Sequence, residues 1–425
     1  MLEGKIIKFY RKKAGLTQEQ LGKGICTLSY LSKIELGQTA YSSETLVVLA
    51  ERLSIDLEKE VSRLKNLETQ LHRWHKAIIM QSMKEVEKIN KELENIPFIT
   101  SSNYAALYQL LQARYYNLKK DYEKTHAILQ LVQRDYPSLP PYERNLLRHV
   151  WGIYYISNYI SLRTEDHQKA IKVLKEVDID EYGNKEYYYD LAVAYHYISS
   201  KVMAYVYAEK ALLHFKGTNN PIMALNAESL MLLQIGDDVH LDLDEMEKRY
   251  QILIFDSELL YAYDKKGMLL NNLGNEYFKR KDYVTAQKFY KEAFQIADKS
   301  SVLYLQHLYS YLENCFEGKM LQKTVMLRKA QEGVSLARKL DNRLYKTIFK
   351  LLIYRVEDQL DKFYSFIEKE ALPYFQLIKN SAFTNHYAKQ LYNHYIEMEQ
   401  YEKAGQISTF LRDDISYKHN HVCLL

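Results

Sequence analysis

The sequence predicts an all-α protein in which a small N-terminal domain precedes a long array of packed helical hairpins. The 425 residues include only 6 prolines and 14 glycines against 39 tyrosines, which is typical of long helices joined by short turns. Beyond residue 70, apolar and small residues recur with a fixed spacing, which indicates stacked repeats that share one core. A chain of this length is expected to fold as two or more units.

The first helix is predicted over residues 3–14, with Ile6, Ile7 and Tyr10 on its apolar side. Residues 1–33 hold seven Lys or Arg and two Asp or Glu, whereas the whole chain carries a net charge of only +4. A local basic excess of this kind suits contact with phosphates, although an isolated basic face is more often simply solvated.

A helix, a tight turn and a second helix are predicted within residues 17–37. Thr17 and Gln20 fit a capping box, in which each side chain satisfies a backbone N–H of the other residue. Two glycines allow the turn that follows. The second helix begins near Thr27 and ends at Gly37, which suits a left-handed helix stop.

This second helix is predicted to have one apolar face and one exposed face. Leu31 and Ile34 lie three residues apart and point inward. The exposed face consists of Leu28, Ser29, Ser32 and Lys33. Such a layout lays one helix in a DNA major groove, but on spacing alone an ordinary helical hairpin is an equal alternative.

Residues 5–57 resemble the helix-turn-helix of the phage-repressor and xenobiotic-response-element class. Three segments carry the resemblance, namely Leu-Thr-Gln at 16–18, the recognition-helix ending at 31–37 and the fourth-helix start at 42–46. Tyr41 departs from the proline that many members carry there.

The resemblance implies a role for individual residues of this chain. It implies that Arg11 and Glu35 form a buried ion pair between the first helix and the recognition helix. The residues implied to face base edges are Thr27, Leu28, Ser29 and Lys33. The residues implied to hold phosphates are Gln18, Tyr30, Lys12, Thr39 and Ser42.

A long apolar stripe follows the N-terminal domain, running from Leu57 to Ile78 with an approximate 3–4 spacing. It is either a linker helix that pairs or rotates DNA-binding domains, or the first packing helix of the next domain. We divide the chain into a DNA-binding domain (1–57), a linker helix (58–72) and a repeat domain (73–425).

The repeats are clearest in residues 267–300. Eight residues there fall at tetratricopeptide offsets: Leu270, Leu273, Gly274, Tyr277, Tyr283, Ala286, Tyr290 and Ala293. Small residues let the two helices of a hairpin approach closely, and aromatic residues fill the gaps between hairpins. Residues 185–216 and 385–415 repeat this spacing, and segments near 222–255, 302–340 and 344–380 are helical but irregular. The array is therefore expected to form a right-handed tetratricopeptide-repeat superhelix of about nine hairpins.

Asparagines are expected to line the concave groove of this superhelix. A carboxamide can donate to and accept from the backbone of an extended peptide, and asparagine is a poor residue for a helix interior. Asn271 and Asn275 are the favoured pair, and each other asparagine is as easily explained by an exposed surface. The full set of candidates is Asn271, Asn272, Asn275, Asn158, Asn314 and Asn393.

Catalytic and metal-binding motifs are missing from the sequence. It contains no nucleotide-binding glycine loop, no zinc-protease helix motif and no nucleophile elbow. Its three cysteines are scattered, which argues against disulfides and fits a reducing compartment. We therefore expect no cofactor, no metal and no enzyme activity. No apolar run approaches the roughly 18 residues that span a bilayer, so we expect a cytoplasmic protein without membrane contact.

The order of parts resembles the RRNPP group of peptide-pheromone regulators of Gram-positive bacteria. The resemblance implies a homodimeric quorum-sensing transcription factor that binds palindromic double-stranded DNA and a short imported signalling peptide. The alternative is a repeat protein that sequesters a partner such as a response regulator.

Overall fold

The computed structural model describes residues 2–38, 42–96, 99, 102–157, 164–236, 242–378 and 380–411, and it contains no β-strand within these ranges. The chain divides into two compact units, one of residues 1–157 and 176–183 and the other of residues 158–175 and 184–425. The helices of the first unit are α1 (Leu2–Lys13), α2 (Gln18–Gly22), α3 (Leu28–Leu36), α4 (Ser43–Arg52), α5 (Leu57–Ile79), α6 (Met83–Glu94), α7 (Ala105–Leu118), α8 (Tyr122–Asp135), α9 (Pro141–Ser157) and α11 (Ile179–Tyr182).

The second unit is also built from helices within the described residues. Its members are α10 (Thr164–Lys175), α12 (Tyr187–Tyr197), α13 (Lys201–Gly217), α14 (Pro221–Ile235), α15 (Leu243–Leu259), α16 (Tyr263–Lys279), α17 (Tyr283–Ile296), α18 (Val302–Glu317), α19 (Lys323–Lys339), α20 (Arg343–Glu357), α21 (Leu360–Phe366), α22 (Leu372–Leu377), α23 (Ser381–Glu397) and α24 (Tyr401–Ser408).

The first four helices close a small core of their own. Its buried members are Ile7, Leu21, Leu31, Ile34, Leu46, Leu49 and Ala50. Burying a side chain of this size contributes about 1.5–3 kcal/mol relative to leaving it exposed. These contacts therefore hold α3 against α1 and leave its other face toward solvent.

The stripe that follows is one uninterrupted helix, α5, which begins at its N-cap Asp56. Near its start, Glu60 lies against Tyr10 of α1, and burial together with this carboxylate raises the pKa of Tyr10 to about 12. Near its end, the Trp74 indole N–H donates to the carbonyl oxygen of Val86 in α6 at 3.1 Å. The helix continues through residue 72 without a break. It therefore contacts both α1 and α6, and we call α5 and α6 together the first repeat hairpin.

The hairpin of α16 and α17 confirms the predicted packing of small against aromatic residues. Leu270, Leu273 and Ala286 are buried in the core of the second unit. A Cβ added at Gly274 would lie 2.9 Å from the ring of Tyr290, so only glycine lets these two helices approach as they do.

The predicted irregularity near residues 344–380 corresponds to a π-helical turn at Ile367–Ala371, between α21 and α22. Pro373 follows in the first turn of α22. Because proline has no N–H to donate, the regular i to i−4 ladder is interrupted there.

Candidate functional site

The start of α2 and both ends of α3 have the geometry that the sequence predicts. At the start of α2, the Gln20 N–H donates to Thr17 Oγ1 at 3.1 Å, and the Thr17 N–H donates to Gln20 Oε1 at 2.7 Å. Thr27 caps α3 by accepting from the Tyr30 N–H at 3.3 Å. Gly37 ends α3 with a φ of +69°, a left-handed conformation that glycine adopts without strain.

A buried ion pair ties α1 to α3, as the family resemblance implies. Arg11 Nε donates to Glu35 Oε1 at 2.6 Å, and Arg11 Nη2 donates to Glu35 Oε2 at 2.9 Å. Arg11 Nη1 also donates to the carbonyl oxygen of Leu16 at 2.8 Å. The hydrogen bond with Glu35 raises the pKa of Arg11, so the guanidinium stays charged despite its burial.

The outer face of α3 is open to solvent. Thr27, Leu28, Ser29 and Lys33 are exposed, whereas Tyr30 and Ser32 are half-buried. The Lys33 ammonium has no ion-pair partner within the described part of the chain, so it is available to a ligand. These side chains together offer a cation, hydroxyl groups and an apolar tip, which are the groups that read base edges in a major groove.

The candidate phosphate contacts differ in their availability. Lys12 is exposed. Gln18 is half-buried, and its Nε2 donates to Glu35 Oε2 at 2.8 Å, which leaves one amide hydrogen free. Ser42 is exposed, but its Oγ accepts from the Thr45 N–H at 3.2 Å as the cap of α4. Thr39 lies outside the described residues.

Two further basic residues take part in contacts that the sequence did not reveal. Arg52 Nη1 donates to the carbonyl oxygens of Leu21 at 2.9 Å and Lys23 at 2.5 Å, which fixes the turn before α3. Lys5 Nζ donates to Asn103 Oδ1 at 3.0 Å. The partners are about 30 and 98 residues apart in sequence, so no local pattern identifies them.

The asparagines of the repeat array are less accessible than the groove prediction requires. Asn271 and Asn275 are 2% and 1% exposed, and Asn272 and Asn314 are buried as well. Asn393 is exposed, and Asn158 lies outside the described residues.

Three of these buried carboxamides fall into two groups. Asn275 Oδ1 accepts a hydrogen bond from the Tyr290 hydroxyl at 2.6 Å, so this residue supports its own hairpin. Asn314 Nδ2 donates to the carbonyl oxygen of Tyr283 at 2.9 Å, but its Oδ1 is buried without a partner. Asn271 Oδ1 is also buried without a partner. An unsatisfied buried acceptor costs about 1–3 kcal/mol, which a ligand N–H would offset.

The described residues contain no group of three or more His, Cys, Asp and Glu placed to hold a metal ion. Over the same residues, no helix is long and apolar enough to cross a membrane.

Known proteins are similar to this chain in sequence. Residues 7–59 match the helix-turn-helix family. The transcriptional activator NprA of Geobacillus stearothermophilus is 23% identical over 397 residues, which cover 91% of this chain and 96% of that protein.

Two solved structures share the fold. The apo form of the quorum sensor NprR from B. thuringiensis superposes with a TM-score of 0.65 and 19% identity, covering 81% of this chain and 97% of that chain. NprR in complex with its cognate peptide NprX gives a TM-score of 0.63 and 18% identity over the same shares. The comparisons confirm the predicted fold class and the resemblance to RRNPP regulators, and the similar proteins named above are a transcriptional activator and a quorum sensor.

Proposed function

We propose that this chain is an RRNPP-type transcriptional regulator. It binds palindromic promoter DNA as a homodimer and responds to a short signalling peptide. In this proposal the protein acts in the cytoplasm. Its helix-turn-helix reads the DNA, and its repeat array binds the peptide.

The exposed face of α3 is the observation that carries the proposal. Lys33 is free to donate to guanine acceptors, Ser29 can donate to or accept from several bases, and Leu28 can contact a thymine methyl group. Lys12 lies exposed at the end of α1 and would neutralise a phosphate. Two such faces related by a dyad require half-sites about one helical turn, or a multiple of it, apart.

The continuity of α5 supports a mechanical link between the DNA-binding helices and the helices that follow them. Its start contacts α1 through Glu60 and Tyr10, and its end contacts α6 through Trp74. A movement of the first repeat hairpin would therefore carry the DNA-binding helices with it. A peptide that prefers one arrangement shifts DNA affinity by the difference between its two binding energies, typically about 1–3 kcal/mol.

Asn271 and Asn314 are the asparagines that we assign to the peptide, because each has a buried side-chain oxygen without a partner. A peptide N–H would satisfy each oxygen, once neighbouring side chains move to admit the ligand. Asn275 is assigned a supporting role through its hydrogen bond with Tyr290. Asn272, Asn158 and Asn393 remain candidates from the sequence alone.

A fluorescence anisotropy titration tests the proposal. The full chain is titrated onto duplexes from the region upstream of its own and adjacent genes, with and without short synthetic peptides encoded nearby. We expect one duplex to bind at least about a thousandfold more tightly than random DNA and one peptide to change that affinity. Asn271→Ala should remove the peptide effect and leave peptide-free DNA binding intact. Equal affinity for all duplexes would refute the DNA assignment, and an unchanged peptide effect in Asn271→Ala would refute that residue.

Sequestration of a partner protein by the array remains the alternative. It leaves the exposed face of α3 without a role, which is why we favour the regulator. Deleting residues 1–57 would leave the activity of a sequestering protein intact and would abolish that of the regulator.

A further inference from the structure

We propose that the exposed face of α15 pairs in antiparallel fashion with the same face of a second copy of this chain. We call this face the α15 seam and define it as Lys248, Ile252, Phe255 and Leu259. The inference rests on the proposed homodimer and names the surface that forms it.

The seam is apolar where a surface helix is normally polar. Ile252, Phe255 and Leu259 are 60%, 58% and 62% exposed, although the opposite face of α15 already packs Tyr250 and Leu253 into the core of the second unit. A helix that is apolar on two faces buries both in a stable assembly. Tyr261 and Tyr263, also exposed, extend the apolar surface just beyond the helix.

The spacing of the seam makes it complementary to itself. Its residues are separated by four, three and four positions, which is the a and d pattern of a coiled coil. When two copies of α15 run antiparallel about a twofold axis, Ile252 of one copy packs against Phe255 of the other, and this layer occurs twice. In the next layer, Lys248 lies over Leu259 of the second copy and can cover it with its methylene groups.

The charges beside the seam support a second copy as the occupant. Arg249 and Asp256 flank the apolar residues on the same side of α15, and both are half-buried. Neither makes an ion pair within the described residues. In the antiparallel arrangement Arg249 of each copy faces Asp256 of the other, so two ion pairs form across the dyad. A partner of unrelated sequence would need to supply this pattern separately.

The size of the seam predicts a reversible dimer. One helix face buries less than the roughly 800 Å² per partner of a standard interface, so we expect dissociation in the micromolar range. A palindromic operator would hold two copies together and strengthen the contact by raising their effective concentration.

Sedimentation velocity of the full chain between 1 and 100 µM (chosen to bracket about micromolar dissociation) tests the interface. The wild-type protein should pass from monomer to dimer over this range, and Phe255→Asp should weaken the dimer by at least about tenfold. Leu213→Asp is the matched control, because Leu213 of α13 is 70% exposed and lies outside the seam. Circular dichroism should show that both variants remain folded. A wild-type protein that stays monomeric, or equal effects of the two variants, would overturn the proposal.

A charge exchange tests the geometry independently. Arg249→Asp and Asp256→Arg should each weaken dimerisation by about three- to tenfold, and the double variant should return to within about twofold of wild type. A double variant that is weaker than both single variants would overturn the antiparallel arrangement.

Binding to a duplex with a single half-site separates this inference from the proposed function. If the seam variants bind the half-site normally and also dimerise as tightly as wild type, the α15 interface is wrong and the DNA-binding function stands. If dimerisation follows the predictions and no duplex binds, the interface stands and the DNA-binding function is wrong.

Discussion

Replacing Arg11 by methionine separates a structural role from a DNA-contacting role within the basic end of α1. The Arg11 guanidinium makes two hydrogen bonds with Glu35 and one with the carbonyl oxygen of Leu16. In the variant, Glu35 remains almost completely buried, and Gln18 is left as its remaining side-chain donor. The change therefore strands a negative charge in the core of the N-terminal domain.

The size of the effect follows from that stranded charge. Breaking a buried ion pair from one side costs about 3–5 kcal/mol. Removing both partners at once avoids most of this cost, so Arg11→Met combined with Glu35→Leu should regain most of the stability. Lys12→Ala, one residue further on, removes an exposed charge and should change stability by less than about 0.5 kcal/mol.

Hydrogen exchange of the amides in α1–α4 measures the stability of this domain in the full chain. Arg11→Met should increase exchange across all four helices, and the double variant should reverse the increase. Lys12→Ala should leave exchange unchanged, weaken binding to all DNA and reduce the salt slope by about one. If Arg11→Met weakened DNA binding with normal exchange rates, Arg11 would be a phosphate contact and the ion-pair reasoning would be wrong.

Three further predictions concern α3, the crossing of α1 with α3, and the second unit. Lys33→Ala should relax sequence preference in a binding-site selection without changing stability; unchanged preference would exclude a base contact. A Cβ at Gly4 would overlap the Ile34 carbonyl oxygen, so Gly4→Ala should destabilise the domain by about 1–3 kcal/mol or more. Gly405→Ala, in open space, should be neutral or stabilising in urea melts. Burial lowers the pKa of His307 from 6.5 to about 4. Its stabilising contribution is therefore complete above pH 6.5 and lost as pH falls toward 4, by about 3 kcal/mol; an equally steep acid dependence in His307→Leu would contradict this.

The sequence predicts those parts of the fold that depend on short-range geometry. The capping box of Thr17 and Gln20 and the left-handed stop at Gly37 involve neighbouring residues, so their chemistry is visible in the sequence. The close approach of Gly274 to Tyr290 is also predictable, because the repeat spacing assigns both residues to facing helices.

Tertiary contacts account for what the sequence did not predict. The groove offsets assign Asn271 and Asn275 to an inner face, but whether that face is open depends on neighbouring hairpins. The segment 222–255 reads as irregular because α15 has apolar residues on two faces, which removes the usual amphipathic signal. The contact of Arg52 with the α2–α3 turn joins residues about 30 positions apart, for which one sequence alone gives no sign.

The most direct test of the account is the change in operator affinity when a cognate peptide is added. A short peptide should shift the half-saturation of the full chain on its palindromic duplex by about five- to 150-fold. The same peptide should cause no shift on a chain truncated to residues 1–57. A peptide that binds the full chain tightly and leaves operator affinity unchanged would contradict the claim that the repeat array controls DNA binding.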